Sequence, residues 1–119
     1  MGSVHRAGGR LVLGTDWDVS PPDALPGIEV GLRRQDPFGL VEGALNPSEA
    51  VDLATLIEAY TAGGAYAMHR ESETGSIEVG KRADLVVLGR DLFEVRPEEI
   101  SEVKVRQTFV SGRRVYPLD

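Results

Sequence analysis

The sequence predicts an α+β fold in which helices precede a small antiparallel sheet. Three features carry this prediction: a continuous apolar run within residues 10–16, a helical spacing of apolar residues within 46–60, and an alternation of apolar and polar residues over 103–110. A continuous run is typical of a strand buried on both faces, whereas alternation is typical of a strand with one face in solvent. We therefore expect the first strand and the last strands to belong to different layers.

The first third of the chain predicts one strand and one helix. The run RLVLGTD, residues 10–16, is predicted to be a short strand that ends in Gly-Thr-Asp. Pro21 and Pro22 then break the chain, and Ser20 is a candidate N-cap for a helix over residues 22–35 with proline in its first turn. The Asp-Pro-Phe-Gly sequence that follows predicts a turn or loop.

The middle of the chain predicts two helices. The apolar face of the first is formed, at spacings of three and four, by Leu53, Leu56, Ile57 and Tyr60. Its start has two candidates: Asn46 as the N-cap with proline next, or Asp52 as the cap of a separate helix after a break. The small residues of 61–68 predict a second, short helix packed closely on its neighbours.

The last third predicts an antiparallel sheet. ADLVVL, residues 83–88, is a predicted strand; 97–101 is a predicted helical turn; and 103–110 turns through Ser111-Gly112 into 113–116 as a hairpin. We expect the first of these strands to pair with the hairpin and the helices of 53–68 to cover one face of the sheet. The residues expected to be largely buried there are Val86, Leu88, Val105, Phe109 and Val115.

Composition and charge disfavour several classes of protein. The chain has 119 residues, 41% of them hydrophobic and 27% charged, which indicates one small folded domain. Its net charge of -6 disfavours nonspecific binding to nucleic acid, and no apolar run approaches the roughly 18 residues of a membrane span. Cysteine is absent, which excludes a disulfide and a thiolate metal site and fits a cytoplasmic location.

Four stretches form a pattern that spans nearly the whole chain: AGGRLVLGTDWDVSP at 7–21, AYTAGGAYAM at 59–68, GSIEVGKRADLVVLGRDLFEV at 75–95 and VRQTFVSGRRVY at 105–116. In this order they resemble the C-terminal portion of metal-dependent hydrolases of the amidohydrolase superfamily, within the family 3 branch. The third stretch is typical of the superfamily's accessory β domain. The Gly-Thr-Asp-Trp of the first stretch and the second stretch indicate family 3.

The resemblance implies a division of the chain. Residues 1–45 would be the end of a (β/α)8 barrel, with 10–16 as its eighth strand and 22–35 as the helix that follows. Residues 46–72 would be a helical segment, and 73–119 would supply the C-terminal strands of the accessory β-sandwich. All three would form one compact unit. Because a complete barrel takes about 250 residues, the chain is expected to be a fragment of a longer enzyme.

The resemblance also implies site residues. Family members bind one or two divalent metal ions, with zinc expected here, through a His-x-His pair, a carboxylated lysine or Glu, two further histidines and an Asp at the end of strand eight. Asp16 matches that Asp, which makes it a metal ligand and the general base in the complete enzyme. Trp17 and Asp18 are candidates for the substrate pocket, although Trp17 could equally be a packing residue and Asp18 a loop variation, since the family usually has proline there.

The sequence departs from the family in its metal ligands. It has no His-x-His, and its two histidines, His5 and His69, match no family ligand. Since a metal site needs three or four ligands, we expect no metal in this chain alone and no hydrolysis by it. The complete enzyme would cleave a non-peptide carbon–nitrogen bond of a small-molecule amide. Two alternatives stay open: a self-standing binding or regulatory module, and one chain of a split amidohydrolase.

Self-association is expected from the missing neighbours of the predicted first strand. Residues 10–15 would leave unpaired backbone groups and the apolar Leu11–Leu13 on open edges, and such edges recruit other strands. A homodimer or higher oligomer would cover them by strand addition or by exchange of the N-terminal segment. The alternatives are that residues 1–20 are disordered or fold back on the chain's own sheet.

Overall fold

The computed structural model describes residues 1–117. These residues contain four short helices, two 3-10 turns and three strands, joined by loops. The helices are α1 (Gly2–Arg6), α2 (Ala24–Arg33), α3 (Leu53–Tyr60) and α4 (Ala62–Ala67). The strands are β1 (Leu85–Leu88), β2 (Val105–Val110) and β3 (Arg113–Tyr116), and the 3-10 turns are Pro47–Glu49 and Pro97–Glu102. Within this range no helix has the length and apolar character that crossing a membrane requires.

The helix α2 confirms the predicted helix over 22–35 but begins with a different cap. Asp23, not Ser20, is the N-cap, and its carboxylate accepts the Leu25 N–H at 2.9 Å. The prediction of Ser20 is wrong because Asp23 lies directly before the first helical residue, where a side-chain oxygen reaches a free backbone N–H. Ser20 instead donates its hydroxyl to the carbonyl of Thr15.

Helix α3 begins after Asp52, which is the second of the two predicted N-caps. Residues after Asn46 form only the 3-10 turn Pro47–Glu49, and the chain then leaves helical geometry. Asp52 caps α3 by accepting hydrogen bonds from the backbone N–H of Thr55 at 3.0 Å and from its hydroxyl at 2.7 Å. The second short helix is confirmed as α4, which follows after the single residue Thr61.

Residues 10–16 do not form the predicted strand. Their backbone has no strand partner, and the sheet consists of β1, β2 and β3 alone in the described part of the chain. The Leu13 N–H donates instead to the carbonyl of Ala59 on α3 at 3.1 Å. Leu11 and Leu13 pack against the hydrophobic core, so the expected exposure of both is also wrong; Val12 is exposed. An apolar run specifies burial, but a ladder also needs a neighbouring strand.

The three-stranded antiparallel sheet, in the order β1-β2-β3, confirms the predicted pairing. Leu85 lies opposite Phe109 and Val87 opposite Gln107, and a bulge follows before Leu88 pairs with Val105. The predicted burial is wrong for Val86, which is 55% exposed; Leu88, Val105, Phe109 and Val115 are largely but not fully buried.

The reason for this exposure is that the helices do not cover the sheet as expected. The helix α3 packs mainly on α2 and α4. Between these helices and β1 lies an open groove of about 950 Å³, lined by Leu85, Val86, Leu88 and Val105 on the sheet side. One face of the sheet therefore lacks the second layer that full burial requires.

The core joins the helices to the segment between β1 and β2. Its buried hydrophobic residues are Leu25, Ile28, Val51, Leu56, Leu92, Val95, Ile100 and Val103. They come from all three of the predicted sections of the chain, whose boundaries at 45/46 and 72/73 stay a prediction. The closest helical packing is that of α2 on the Pro97–Glu102 turn.

One charged residue lies inside this core. Glu29 on α2 is fully buried, and its carboxylate accepts the backbone N–H of Ser101 at 3.0 Å and a guanidinium N–H of Arg33 at 2.5 Å. A buried carboxylate is tolerated only where hydrogen bonds and an opposite charge compensate its lost hydration. Glu29 therefore connects the helical layer to the Pro97–Glu102 turn.

Replacing Glu29→Ala should lower the free energy of unfolding by about 1–3 kcal/mol, because the partly buried Ser101 N–H loses its acceptor. Urea denaturation followed by circular dichroism measures this change. The matched control is Glu58→Ala on exposed α3 surface, which should change stability by no more than about 0.5 kcal/mol. Equal effects of the two substitutions would contradict a specific role for Glu29.

The N-terminal helix α1 is held by a second carboxylate. Glu49 accepts hydrogen bonds from the Met1 ammonium group at 2.5 Å, and from the backbone N–H and hydroxyl of Ser3 at 3.1 and 3.0 Å. These contacts, the ammonium first, lower the pKa of Glu49 to about 2. The charged form of Glu49 therefore ties α1 to the Pro47–Glu49 turn.

Acid should release α1. Because the folded-state pKa of Glu49 lies below its ordinary value of 4.5, its stabilising contribution is complete above pH 4.5 and is lost as the pH falls towards about 2. The protection factor of the Ser3 amide, the ratio of its intrinsic to its observed hydrogen-exchange rate measured by NMR, should fall as the pH falls over this range. Glu49→Gln should remove that pH dependence, and acetylation of the amino terminus should raise the pKa of Glu49.

Candidate functional site

The residues Asp16, Trp17 and Asp18 lie together on an exposed turn. Asp16 has a left-handed backbone with φ of 51°, and its carbonyl accepts the Val19 N–H at 2.7 Å. All three side chains are in solvent, and the indole of Trp17 is 71% exposed. The predicted site residues are therefore adjacent and accessible, with the Ser20 hydroxyl bond to Thr15 closing the turn beneath them.

The position of this turn is fixed by the segment that precedes it. Leu11 and Leu13 pack on the core, and the Leu13 N–H is bonded to Ala59. The Arg10 guanidinium lies 4.0 Å from the ring centroid of Tyr66, a cation–π contact with the exposed side of α4. Core packing, a backbone hydrogen bond and this stacking contact together hold the segment that carries Asp16 against α3 and α4.

One glycine permits this close approach. A Cβ atom at Gly63, in α4, would lie 2.5 Å from the carbonyl oxygen of Leu11, which is inside the limit that real Cβ contacts respect. The backbone of the segment therefore rests directly on the helix. The next residue, Gly64, has no such neighbour, because nothing lies within 4 Å of its Cβ position.

Residues 1–117 do not bring together a set of metal ligands. No group of three or more His, Asp or Glu side chains lies close enough there to hold an ion. Since protein metal sites use three or four such ligands, Asp16 with its surroundings does not fit a metal site by itself.

Neither histidine belongs to a cluster of candidate metal ligands within residues 1–117. His5 lines a small pocket of about 220 Å³ with residues 8–11 and with Thr55 and Glu58 of α3. His69 follows α4 with a left-handed backbone, φ 55°, and its N–H donates to the carbonyl of Tyr66 at 3.0 Å. The expectation that neither histidine is a family ligand stays a prediction.

A second exposed loop follows α2, where the sequence predicted a turn or loop but no functional residues. The Asp36 carboxylate accepts the N–H groups of Phe38, Leu40 and Val41 at 2.9, 2.6 and 3.0 Å. These bonds, that from Phe38 first, hold the pKa of Asp36 below its ordinary value. The loop displays Phe38, Leu40, Val41 and Leu45 to solvent. The sequence signal for this loop is an apolar stretch directly after the Asp-Pro turn.

A family model described as the amidohydrolase family matches residues 1–116. The chain belongs to the amidohydrolase family. The resemblance noted from its four sequence stretches is thereby confirmed. The fold agrees: an amidohydrolase from Thermotoga maritima MSB8 superposes on 97% of the chain with a TM-score of 0.59 at 22% sequence identity, and the match covers 26% of that structure.

Two related proteins match most of the chain. The N-substituted formamide deformylase of Arthrobacter pascens is 46% identical over 110 residues, which are 92% of this chain and 20% of that enzyme. The imidazolonepropionase of Bdellovibrio bacteriovorus is 30% identical over 112 residues, covering 92% of this amidohydrolase chain and 23% of the relative. The chain thus spans about a fifth of the length of the relatives that it matches.

Gly63→Ala should displace residues 10–16 of this amidohydrolase chain and lower the free energy of unfolding by about 1–3 kcal/mol, because the new methyl group overlaps the Leu11 carbonyl. Gly64→Ala is the matched control in the same helix. It should be neutral or stabilising by up to about 1 kcal/mol, since alanine is the better helix former and space is open. Urea denaturation of both variants makes the comparison, and equal destabilisation would contradict the close approach.

Proposed function

We propose that this chain forms the C-terminal part of a metal-dependent hydrolase that cleaves non-peptide carbon–nitrogen bonds of small amides, and that it is inactive alone. The observation that carries the proposal is the exposed Asp16 turn in a chain of this family that contains no metal-ligand cluster within residues 1–117. The names of the two relatives, a deformylase of N-substituted formamides and an imidazolonepropionase, support a carbon–nitrogen bond as the target.

In the proposed complete enzyme, residues 10–16 occupy the eighth strand of the barrel and β1 to β3 form part of the accessory β-sandwich. The apolar run Leu11–Leu13, which lies in no strand of this structure, supports this assignment, because a strand forms its ladder only when a neighbouring strand is present. Amidohydrolases are generally metal-dependent, and the divalent metal, with zinc expected, would take its remaining ligands from outside this chain.

The role proposed for Asp16 is that of general base. Its carboxylate takes a proton from the water whose oxygen attacks the amide carbonyl carbon, and it returns that proton to the nitrogen as the carbon–nitrogen bond breaks. The carboxylate ends in its starting state, with one carboxylic acid and one amine as products. Trp17, largely exposed beside it, would contact the substrate, and Asp18 would face the same space.

The isolated chain should carry no stoichiometric zinc after purification with added zinc, and it should not hydrolyse an N-substituted formamide, because one aspartate cannot replace a complete ligand set. Elemental analysis and an amine-release assay measure the two quantities. One tightly bound zinc ion per chain would overturn the expectation of inactivity. Activity that appears only on adding a second polypeptide would instead identify a split amidohydrolase.

A chimaera tests the role of Asp16 directly. This chain would replace the matching 110-residue region of the Arthrobacter pascens deformylase, to which it is 46% identical. In an active chimaera, Asp16→Asn should lower kcat by about 100-fold or more, the usual contribution of general acid–base catalysis. The control, Glu71→Gln, removes an exposed carboxylate after α4 and should leave kcat unchanged. Normal turnover of the Asp16 variant would overturn the assignment.

The same chimaera tests the substrate contact of Trp17. Trp17→Ala should raise KM with little change in kcat if the indole contributes uniform binding of substrate and transition state. A packing role would instead lower the melting temperature and leave KM unchanged.

A further inference from the structure

The loop that carries Asp16 is attached to the helical layer at both of its ends. On the entry side, Leu13 packs on the core and its N–H donates to the carbonyl of Ala59 at 3.1 Å. On the exit side, Asp23 caps α2 with its side chain. Residues 14–22 therefore form a loop between two points that the same core holds in place.

The exit arm of this loop is stiff. Ser20 is followed by Pro21 and Pro22, which lead directly to the Asp23 cap. Each proline ring fixes its own φ, and a proline also disfavours helical geometry at the residue before it. The position of Ser20 relative to α2 therefore has little freedom, so its side chain is a fixed point at the end of a short arm.

Both peptide groups that flank the Cα atom of Asp16 are held by hydrogen bonds. The group before it contributes the Thr15 carbonyl, which accepts the hydroxyl of Ser20. The group after it contributes the Asp16 carbonyl, which accepts the Val19 N–H at 2.7 Å. Because a peptide group is planar, a hydrogen bond to its carbonyl restricts rotation of the whole plane. With both planes restricted, the direction of the Asp16 Cα–Cβ bond is set as well.

We propose that Ser20 is a positioning residue for Asp16: its hydroxyl holds the peptide group before Asp16 and thereby aims the carboxylate. This inference deepens the proposed function and rests on it, because it takes Asp16 to be the general base. Ser20 keeps its hydroxyl proton throughout and exchanges none with the substrate. The proton of the attacking water moves to and from the Asp16 carboxylate alone.

The backbone of Asp16 needs support from both sides. Its φ of 51° lies in the left-handed region, which residues other than glycine occupy rarely, although aspartate tolerates it better than most. Such a conformation persists only where the surrounding contacts impose it. The Val19 N–H acts on the side of the turn after Asp16, and the Ser20 hydroxyl acts on the side before it. Without that hydroxyl, the turn should sample other backbone conformations and spread the positions of the carboxylate.

Backbone dynamics of the isolated full chain test the turn without any activity. The NMR order parameters of the amides of residues 16–19 should lie near the value of about 0.85 that is typical of rigid backbone. Ser20→Ala should lower them below about 0.6, whereas Ser20→Thr keeps a hydroxyl and should leave them high. The matched control is Ser76→Ala, which removes a hydroxyl bonded to Glu78 in another exposed loop and should leave residues 16–19 unchanged.

Kinetics of the active chimaera test the positioning role. Ser20→Ala should lower kcat by about tenfold or more, because a displacement of about 1 Å in a catalytic site can cost about 100-fold in rate. The KM and the melting temperature should stay unchanged, because Ser20 is exposed and lies outside the core. Ser20→Thr should restore kcat, and the control Ser76→Ala should leave it unchanged.

The other outcomes overturn the inference. Unchanged order parameters in Ser20→Ala would show that the hydroxyl does not hold the turn. A raised KM with unchanged kcat would make Ser20 a substrate contact, and a lowered melting temperature with unchanged kinetics would give it a purely structural role.

The proposed function fails by a different result. Normal turnover of Asp16→Asn would remove the general base itself. Slow turnover of Asp16→Asn together with normal turnover of Ser20→Ala would overturn the positioning role of Ser20 and leave the role of Asp16 intact.

Discussion

The buried carboxylate of Glu29 is the interaction on which the remaining structure depends. Glu29 lies on α2, in the first third of the chain. Its partner Ser101 lies far away in sequence, in the Pro97–Glu102 turn that leads into β2. Hydrophobic burial has no direction, whereas this hydrogen bond fixes the position of one segment on the other. The core residues Ile28 and Ile100 are brought together across the same contact.

The hydrophobic core also fixes the position of the exposed Asp16 turn. Leu56 and Ala59 of α3 are buried against α2, and α3 and α4 then provide the surface on which residues 10–13 rest. Leu13 faces inward, and the turn that begins three residues later faces solvent. The site residues are thus held by packing beneath them, while their own side chains remain available for chemistry supplied by other parts of an enzyme.

The sequence patterns predicted the elements whose stabilising contacts are local. The helical spacing of Leu53 to Tyr60, the cap at Asp52 and the Ser111-Gly112 turn each contain most of their determinants within a few residues. Residues 10–16 failed as a strand because pairing depends on a distant neighbour, which a local pattern does not contain. The same limit explains Val86: alternation assumed a covering layer that the helices do not provide. For the site, the adjacency of Asp16, Trp17 and Asp18 follows directly from the sequence, whereas no local pattern indicates the close approach of Gly63 to Leu11.

The groove between the helices and β1 has a consequence for cooperativity. Among the strand residues, Leu88 is the one that packs against the main core, and the segment 89–104 supplies the core residues Leu92, Val95, Ile100 and Val103. The sheet and the helical layer therefore share little buried surface, and shared surface is what makes two parts of a protein unfold together. We therefore expect the β1-β2-β3 sheet to open at a lower free-energy cost than α2, α3 and the Pro97–Glu102 turn.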